Sequence, residues 1–540
     1  MRNLMIDRNA RYMLALAACL SLPAIHASAQ QEPKHLFFHI QLPRTSAQSV
    51  SGRLLLFVSQ GEGAKAVDMN PMSPAVAYVA AKEVSSWAPG DTVDIDADDL
   101  VYPGPLSDAK SGDYQAQAVL DVGHSYNYGG REAGDPISDV VPLKAWNPAG
   151  GQAPLIVLSG MASTPPPPAA PPGPPSAGQP PTMSPEEINA ALKPIGFVSP
   201  SLSRFFGRDI TMKGWVLLPP GYASNQARYP TVYFTHGFGG TAASIRARFA
   251  PVLYERMRSH RMPEMIWVLL DESGPTGTHE FADGVNNGPW GHALVAELIP
   301  DLESHYRMDA MASGRFLQGH SSGGWATLWL QTTYPKIFGG TWSTSPDPSD
   351  FHDFSSVDLY APHANLYRRA DGSPVPIMRA EGHVVATMEQ LAKMENVMGD
   401  YGGQLASFEW VFSPRGADGR PMHMFDRKTG DVDPFVIGYW REHYDIAHRI
   451  ATDWPTLAPD LRGKIHLFVG TADTFYLDGA AHQLQHVLDG LGGDGHFTYI
   501  PDKSHFNLYQ VGDDRYALFD QIAREMYAVA RPAEASPAHN

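Results

Sequence analysis

Gly319, Ser321 and Gly323 in "FLQGHSSGGW" (316–325) set a serine between two glycines at the spacing Gly-x-Ser-x-Gly. A serine hydroxyl becomes a useful nucleophile only when a base takes its proton, and flanking glycines suit the sharp strand-to-helix turn that holds such a hydroxyl out of the backbone. In a chain with 50 glycines the pentapeptide also arises by accident, and a serine in a glycine-rich turn is the plainer reading. Context separates the two. "RFLQ" before the serine reads as a buried strand, and "SSGGWATLWLQTTYP" after it reads as a helix ending near Pro335. Ser321 therefore falls at the positive end of a new helix, where a developing anion is favoured.

The base has to be an imidazole within hydrogen-bond reach, itself oriented by a carboxylate that stabilises its cation. Asp473 directly follows the strand-like run "KIHLFVGT", and His505 follows "HFTYIPDKS". Both stand at carboxyl ends of strands, the rim where parallel sheets collect their sites. Asp478 and His496 are the competing acid and base. Asp478 reads as already inside a helix and His496 as the start of a strand. An oxyanion needs backbone donors, and "TVYFTHGFGG" ends a strand in a glycine-rich turn. The expected donors are the amides of Phe238 and of Ser322, each worth about 3–4 kcal/mol at a transition state. His236 and His320 beside these positions are expected to be structural. Glu280, Asp283, Asn286, Asn287 and Trp290 crowd one loop, where they either touch substrate or make turn hydrogen bonds. No His-Glu-x-x-His or comparable spacing occurs among the 22 histidines, so neither a metal nor another cofactor is expected.

These residues need a scaffold. "WVLLPP", "TVYFTHG", "EMIWVLLD", "RFLQGHS", "GGTWSTSP", "KIHLFVGT" and "HFTYIPD" read as near-continuous apolar strands. Between them lie amphipathic stretches such as 291–307, where Leu294, Leu298 and Leu302 recur every four residues. That alternation predicts an α/β architecture with a mostly parallel sheet covered on both faces, over 185–535. Residues 347–463 interrupt it with a long aromatic and histidine-rich insertion, which either caps a site or extends the core. Upstream, "HLFFHIQL" and "YQAQAVLDV" alternate with period two, "RLLLFVS" and "APLIVLS" read as more buried strands, and no long helical pattern appears. Residues 34–160 are thus expected to form a small all-β, sandwich-like domain. Between the two, residues 164–181 carry ten prolines in eighteen positions. Such a linker favours extended polyproline II and spans up to roughly 55 Å.

At 540 residues, with 43% hydrophobic and 18% charged residues, the composition is that of a soluble multidomain protein. Arg2, Arg8 and Arg11 precede an apolar run and then Ala27-Ser28-Ala29, so residues 1–29 read as an export signal that directs the chain to a periplasm or outside the cell. Cys19, the only cysteine, leaves with that segment unless Leu16-Ala17-Ala18-Cys19 serves as a lipoprotein box. Cleavage after Ala29 moves the formal net charge from -17 to -19 by removing three arginines and one aspartate. So acidic a chain is a poor partner for nucleic acid, and no integral membrane domain is expected.

The catalytic half resembles the putative esterase family of α/β-hydrolases, which includes enterochelin, feruloyl and esterase D-like enzymes and mycolyltransferases. The resemblance is carried by "GWVLLPPGY" (214–222), "YPTVYFTHGFGG" (229–240), "FADGVNNGPWGHALVAELIPDLESHYR" (281–307), "GHSSGGW" (319–325), "GTADTFYLD" (470–478) and the "SHF" at His505. It implies Ser321 as nucleophile, Asp473 as acid, His505 as base and Phe238 with Ser322 as oxyanion donors. The expected activity is hydrolysis of a small-molecule or glycan-linked carboxylic ester through an acyl-enzyme. Acyl transfer to a sugar or lipid hydroxyl uses the same residues. A non-catalytic glycan or cell-wall binding protein on a hydrolase scaffold is the alternative of another class, and the intact Ser-Asp-His set argues against it.

Overall fold

The seven apolar runs of the C-terminal half fold as strands of one eight-stranded sheet. In chain order these are β2 (Thr211–Leu217), β3 (Thr231–Thr235), β4 (Ile266–Leu270), β5 (Arg315–His320), β6 (Gly340–Thr344), β7 (Ile465–Gly470) and β8 (His496–Ile500), preceded by β1 (Leu192–Val198). The structure, a computed structural model, describes residues 35–532 apart from 71–73, 75, 151–153, 164–184 and 400. The segment 1–29 with Cys19 and the proline-rich stretch 164–181 lie outside the described residues.

The sheet runs β1-β2-β4-β3-β5-β6-β7-β8. From β4 through β8 every pairing is parallel, and β1 and β2 join antiparallel at one edge. β1 was not among the apolar runs because it contains Pro194 and Gly196. A proline breaks no ladder on an edge strand, which β1 is.

Alternation along β3 shows how the sheet is covered. Val232 and Phe234 face Ile245, Leu253 and Met257 of helix α1 (Ala242–Arg258), together with Phe519 and Ile522 of the C-terminal helix. Tyr233 faces the opposite way, into Leu294, Leu298, Ala326 and Leu330. Each such side chain contributes about 1.5–3 kcal/mol by leaving water. The stretch with leucines every four residues is helical from Trp290 to His305 and passes through a π turn at Ala293–Leu298. A π turn holds more residues per turn than an α-helix, so the four-residue spacing stays on one buried face.

In the N-terminal part, a three-stranded sheet (Thr92–Asp96, Phe37–Gln41, Leu155–Val157) packs on a larger one centred on Val50–Gln60 and Gly112–Asp121. Leu54, Leu56 and Val58 meet Phe38, Ile40, Ile95 and Ile156 between the sheets. Leu55 and Phe57 point outward into a second core shared with the insertion. "RLLLFVS" is therefore apolar at consecutive positions because both faces of this strand are covered.

The insertion supplies a hairpin (Pro376–Ala380 and His383–Thr387) and then α3 (Met388–Met398), α4 (Gln404–Phe412), α5 (Pro434–Tyr444) and α6 (Ile446–Leu461), with α2 (Ser322–Thr333) preceding them in the chain. Phe408, Phe412 and Trp440 pack with Trp325 and Trp329 of α2 and with the outer face of the larger β-sheet. Arg53 donates to the carbonyls of Val397 and Asn396 at the end of α3, groups that a helix cannot satisfy itself, and Asn127 donates to that of Glu395. The insertion thus extends the core between the hydrolase sheet and the β-sandwich.

Candidate active site

Ser321 sits between β5 and α2 with φ 60° and ψ -126°, a conformation that costs a non-glycine residue about 1–3 kcal/mol. Its neighbours hold it there. The Ser321 amide donates to the Thr344 carbonyl at the end of β6, and Trp325 closes the first helical turn onto the Ser321 carbonyl. Both motif glycines are required by contact: a Cβ on Gly319 would lie 2.0 Å from the Gly323 carbonyl oxygen, and one on Gly323 would lie 2.4 Å from that of His236.

Asp473 follows β7 and is fully buried, and His505 follows β8 and is 5% exposed. Asp473 Oδ2 and His505 Nδ1 are 2.9 Å apart, while Asp473 Oδ1 accepts from the Phe475 amide. Burial alone would raise the Asp473 pKa, but His505 and the Phe475 amide outweigh it and hold the carboxyl below its usual range. With Nδ1 engaged by the carboxylate, His505 presents Nε2 as its second ring nitrogen. Phe475 and Phe506 pack edge-on to the ring at 4.9 and 5.4 Å. The competing residues have other partners: Asp478 opens a helix and pairs with Arg379, and His496 stacks on His466.

The turn after β3 lies against the serine, since a Cβ on Gly237 would come within 2.8 Å of Ser321 Cβ. Phe238 belongs to this turn, which the Gly240 amide closes onto the Gly237 carbonyl. Ser322 is the first residue of α2, where amides have no acceptor within the helix. His236 braces the turn: its Nδ1 donates to the Gly237 carbonyl at 2.7 Å, and its Nε2 accepts from the Glu272 amide at 3.1 Å. The His320 ring lies 4.4 Å from that of His505. Burial, and then repulsion from His505, push the His320 pKa well down, so His320 stays neutral beside the base.

The crowded loop divides. Asp283 accepts from the His292 amide and the Tyr334 hydroxyl, Asn287 accepts from Thr276, Asn286 donates to the Ser413 carbonyl, and Trp290 stacks on His279 at 3.7 Å. Two of these contacts tie the loop to Tyr334 and to Ser413. Glu280 is different, being fully buried and electrostatically coupled to Glu272 and Asp347. Asp347, just past β6, was not singled out from the sequence, yet its Oδ1 accepts from Ser321 Oγ at 3.4 Å and its Oδ2 from Ser322 Oγ at 2.6 Å. The available signal was an acidic residue at the carboxyl end of the strand beside β5. The insertion also reaches the site through its hairpin, where Arg379 donates to the Asp473 carbonyl at 2.7 Å and pairs with Asp478 at 2.8 Å. A cavity of about 1000 Å³ opens elsewhere in the insertion, lined by residues such as Tyr401, Trp410 and Arg427 and not by Ser321, Asp347, Asp473 or His505. Among the described residues no group of three potential ligands could hold a metal ion, and no helix is long and apolar enough to cross a membrane.

Residues 203–449 match the model of the family described as "Putative esterase". The match covers somewhat less than half of the chain, and over it the chain is similar to that family. Ser321 lies inside the match, while Asp473 and His505 lie beyond its end. An esterase of Mycobacterium tuberculosis is 29% identical to the chain over 155 residues, which cover 27% of this chain and 33% of the relative. An uncharacterized protein of Bacillus subtilis is 24% identical over 139 residues, covering 24% of this chain and 54% of that protein. The chain thus spans about a third of the length of the curated esterases it matches. Among solved structures, a ferulic acid esterase superposes with a TM-score of 0.39 at 15% identity, over 63% of this chain and 97% of that one. An S-formylglutathione hydrolase from Agrobacterium tumefaciens gives 0.37 at 14% identity, over 63% and 94%. The eight-stranded sheet with helices packed on both faces is an α/β fold, with the insertion and the N-terminal β-sheets added to it.

Proposed function

We propose that the protein is an exported serine esterase in which Ser321 attacks a carboxylic ester, His505 moves the proton and Asp473 orients the imidazole. The observation that carries this reading is the buried Asp473–His505 pair at 2.9 Å, on the same sheet edge as a serine held at a strained elbow. In the first half-reaction Ser321 Oγ bonds to the acyl carbon, its proton passes to His505 Nε2, and the alcohol leaves with that proton. The negative charge on the carbonyl oxygen is met by the amides of Phe238 and Ser322. Water then repeats the sequence against the acyl-enzyme, with His505 as base. The N-terminal segment 1–29, read as a signal, sends the enzyme to a periplasm or the exterior.

The test is intact-mass analysis of the mature protein after exposure to a fluorophosphonate, followed by mapping of the modified peptide. One adduct on Ser321 is expected, absent from heat-denatured protein and from His505→Ala. An adduct on another residue, or none on folded protein, would remove Ser321 from the mechanism.

Arg379 gives a second test, because it ties the insertion to the backbone of the acid. Arg379→Ala frees the Asp473 carbonyl, and displacement of a catalytic group by about 1 Å can cost up to roughly 10²-fold. We expect kcat to fall by about 10- to 100-fold while KM changes less. Unchanged kcat would mean that the loop after β7 holds its own shape.

A further inference from the structure

The carboxyl group of Asp347 has no part in the proton path from Ser321 to His505, yet it touches the nucleophile. It is 6% exposed. Its amide donates to the Ser321 carbonyl at 3.2 Å, Oδ2 accepts from Ser322 Oγ at 2.6 Å, and Oδ1 accepts from Ser321 Oγ at 3.4 Å. The charged groups around it are Asp473 and His505 from the loops after β7 and β8, and Glu272 and Glu280 from the segment after β4. Burial raises the Asp347 pKa to about 6 against the opposing Ser322 hydrogen bond and the His505 charge, so above that pH a carboxylate faces the nucleophile.

Acylation changes what Asp347 faces. Once Ser321 Oγ has bonded to the acyl carbon and its proton has gone through His505 to the leaving alcohol, Oγ is an ester oxygen and has no hydrogen to donate. Oδ2 keeps Ser322. Oδ1 loses its donor, and an orphaned buried acceptor costs about 1–3 kcal/mol, more when it is charged. The group best placed to replace the lost hydrogen is a substituent on the carbon next to the acyl carbonyl. Such a substituent is three bonds from Oγ and falls in the same shell around Oγ that Asp347 already occupies. A hydroxyl or ammonium there restores the hydrogen bond, whereas an acyl group with only hydrogen or alkyl at that carbon leaves the carboxylate unpaired.

We propose that Asp347 is a specificity residue, selecting esters whose acyl group carries a hydrogen-bond donor, hydroxyl or ammonium, on the carbon adjacent to the carbonyl. This rests on the serine esterase reading above. The experiment compares kcat/KM for the methylumbelliferyl esters of propionate, 2-hydroxypropionate and 2-aminopropionate at about pH 7.5, corrected for spontaneous hydrolysis, with fluorophosphonate labelling of Ser321 run alongside. In the wild type the two donor-bearing esters are expected to exceed propionate by about tenfold, as restoring one buried hydrogen bond implies. In Asp347→Ala the three esters should converge to within about twofold. Asp347→Asn, which keeps the size and one acceptor oxygen but not the charge, should retain the hydroxyl preference and lose that for ammonium. Equal rates on the three esters in a wild type whose Ser321 is labelled would overturn the inference and leave the esterase reading standing. So would a preference unchanged in both variants. A wild type whose Ser321 takes no label would overturn the esterase reading, and this inference with it.

Discussion

Ser321→Ala is expected to lower turnover by roughly 10⁴-fold or more while leaving the fold intact. On the proposed mechanism the substitution removes the atom that forms the acyl-enzyme, and a water in its place lacks the elbow's fixed position. The proposed oxyanion donors, the amides of Phe238 and Ser322, are untouched by the substitution, so a residual rate above that of buffer is expected. Stability should move little. The side chain leaving is one hydroxyl with a 3.4 Å bond to Asp347, and alanine tolerates φ 60° no worse than serine does. A melting temperature within a few degrees of wild type, together with the loss of turnover, separates a chemical role from a structural one. Turnover within tenfold of wild type would remove Ser321 from the mechanism.

The same elbow shows how far the sequence could be read. The positions of Ser321 and Asp473 are legible because each closely follows a strand buried at nearly every position, whereas His505 comes five residues after β8, an edge strand with no buried residue. β1 was hidden because an edge strand tolerates Pro194, and proline is the residue that otherwise argues against a strand. The insertion left cap and core extension equally open. Its helices are amphipathic either way, and only the shared core of Phe408, Phe412 and Trp440 with α2 and the strand Val50–Gln60 shows which surface they cover. Asp347 was passed over for a different reason, since its position after β6 marks a candidate but not its contact with the serine. Its role comes from the approach of the loop after β6 to the elbow after β5, a relation between two loops that no spacing along the chain encodes. Asp283, Asn286, Asn287 and Trp290 stand out in the sequence instead, and the structure gives each a partner, Tyr334, Ser413, Thr276 and His279 respectively.

Glu272→Gln is expected to abolish much of the protein's loss of stability between mildly acidic and alkaline pH. Glu272 follows β4, is fully buried, and stands beside His236, Asp271, Asp347 and Glu280. Burial pushes its pKa up to about 8 from an ordinary 4.5, and the nearby His236 and Thr235 only partly offset this. In the folded protein the group therefore holds a proton that the unfolded chain releases above about pH 4.5. Between those two values the folded state binds more protons than the unfolded one, so stability is full below pH 4.5 and falls as pH rises through about 8. A shift of that size corresponds to about 3–5 kcal/mol at the alkaline end. Glutamine matches the neutral carboxyl in size and has no proton to lose. Thermal melts of both proteins from about pH 5 to 9 should agree at the acid end and diverge upward, with the variant the more stable above about pH 8. Asp347 and Glu280 interact with Glu272, so the difference between the curves reports the loss of its proton together with the relief of its repulsion on them. Parallel curves across the whole range would mean that Glu272 is ionised in the folded state, and the buried acids beside the nucleophile would then carry one more negative charge than this protonation pattern assigns.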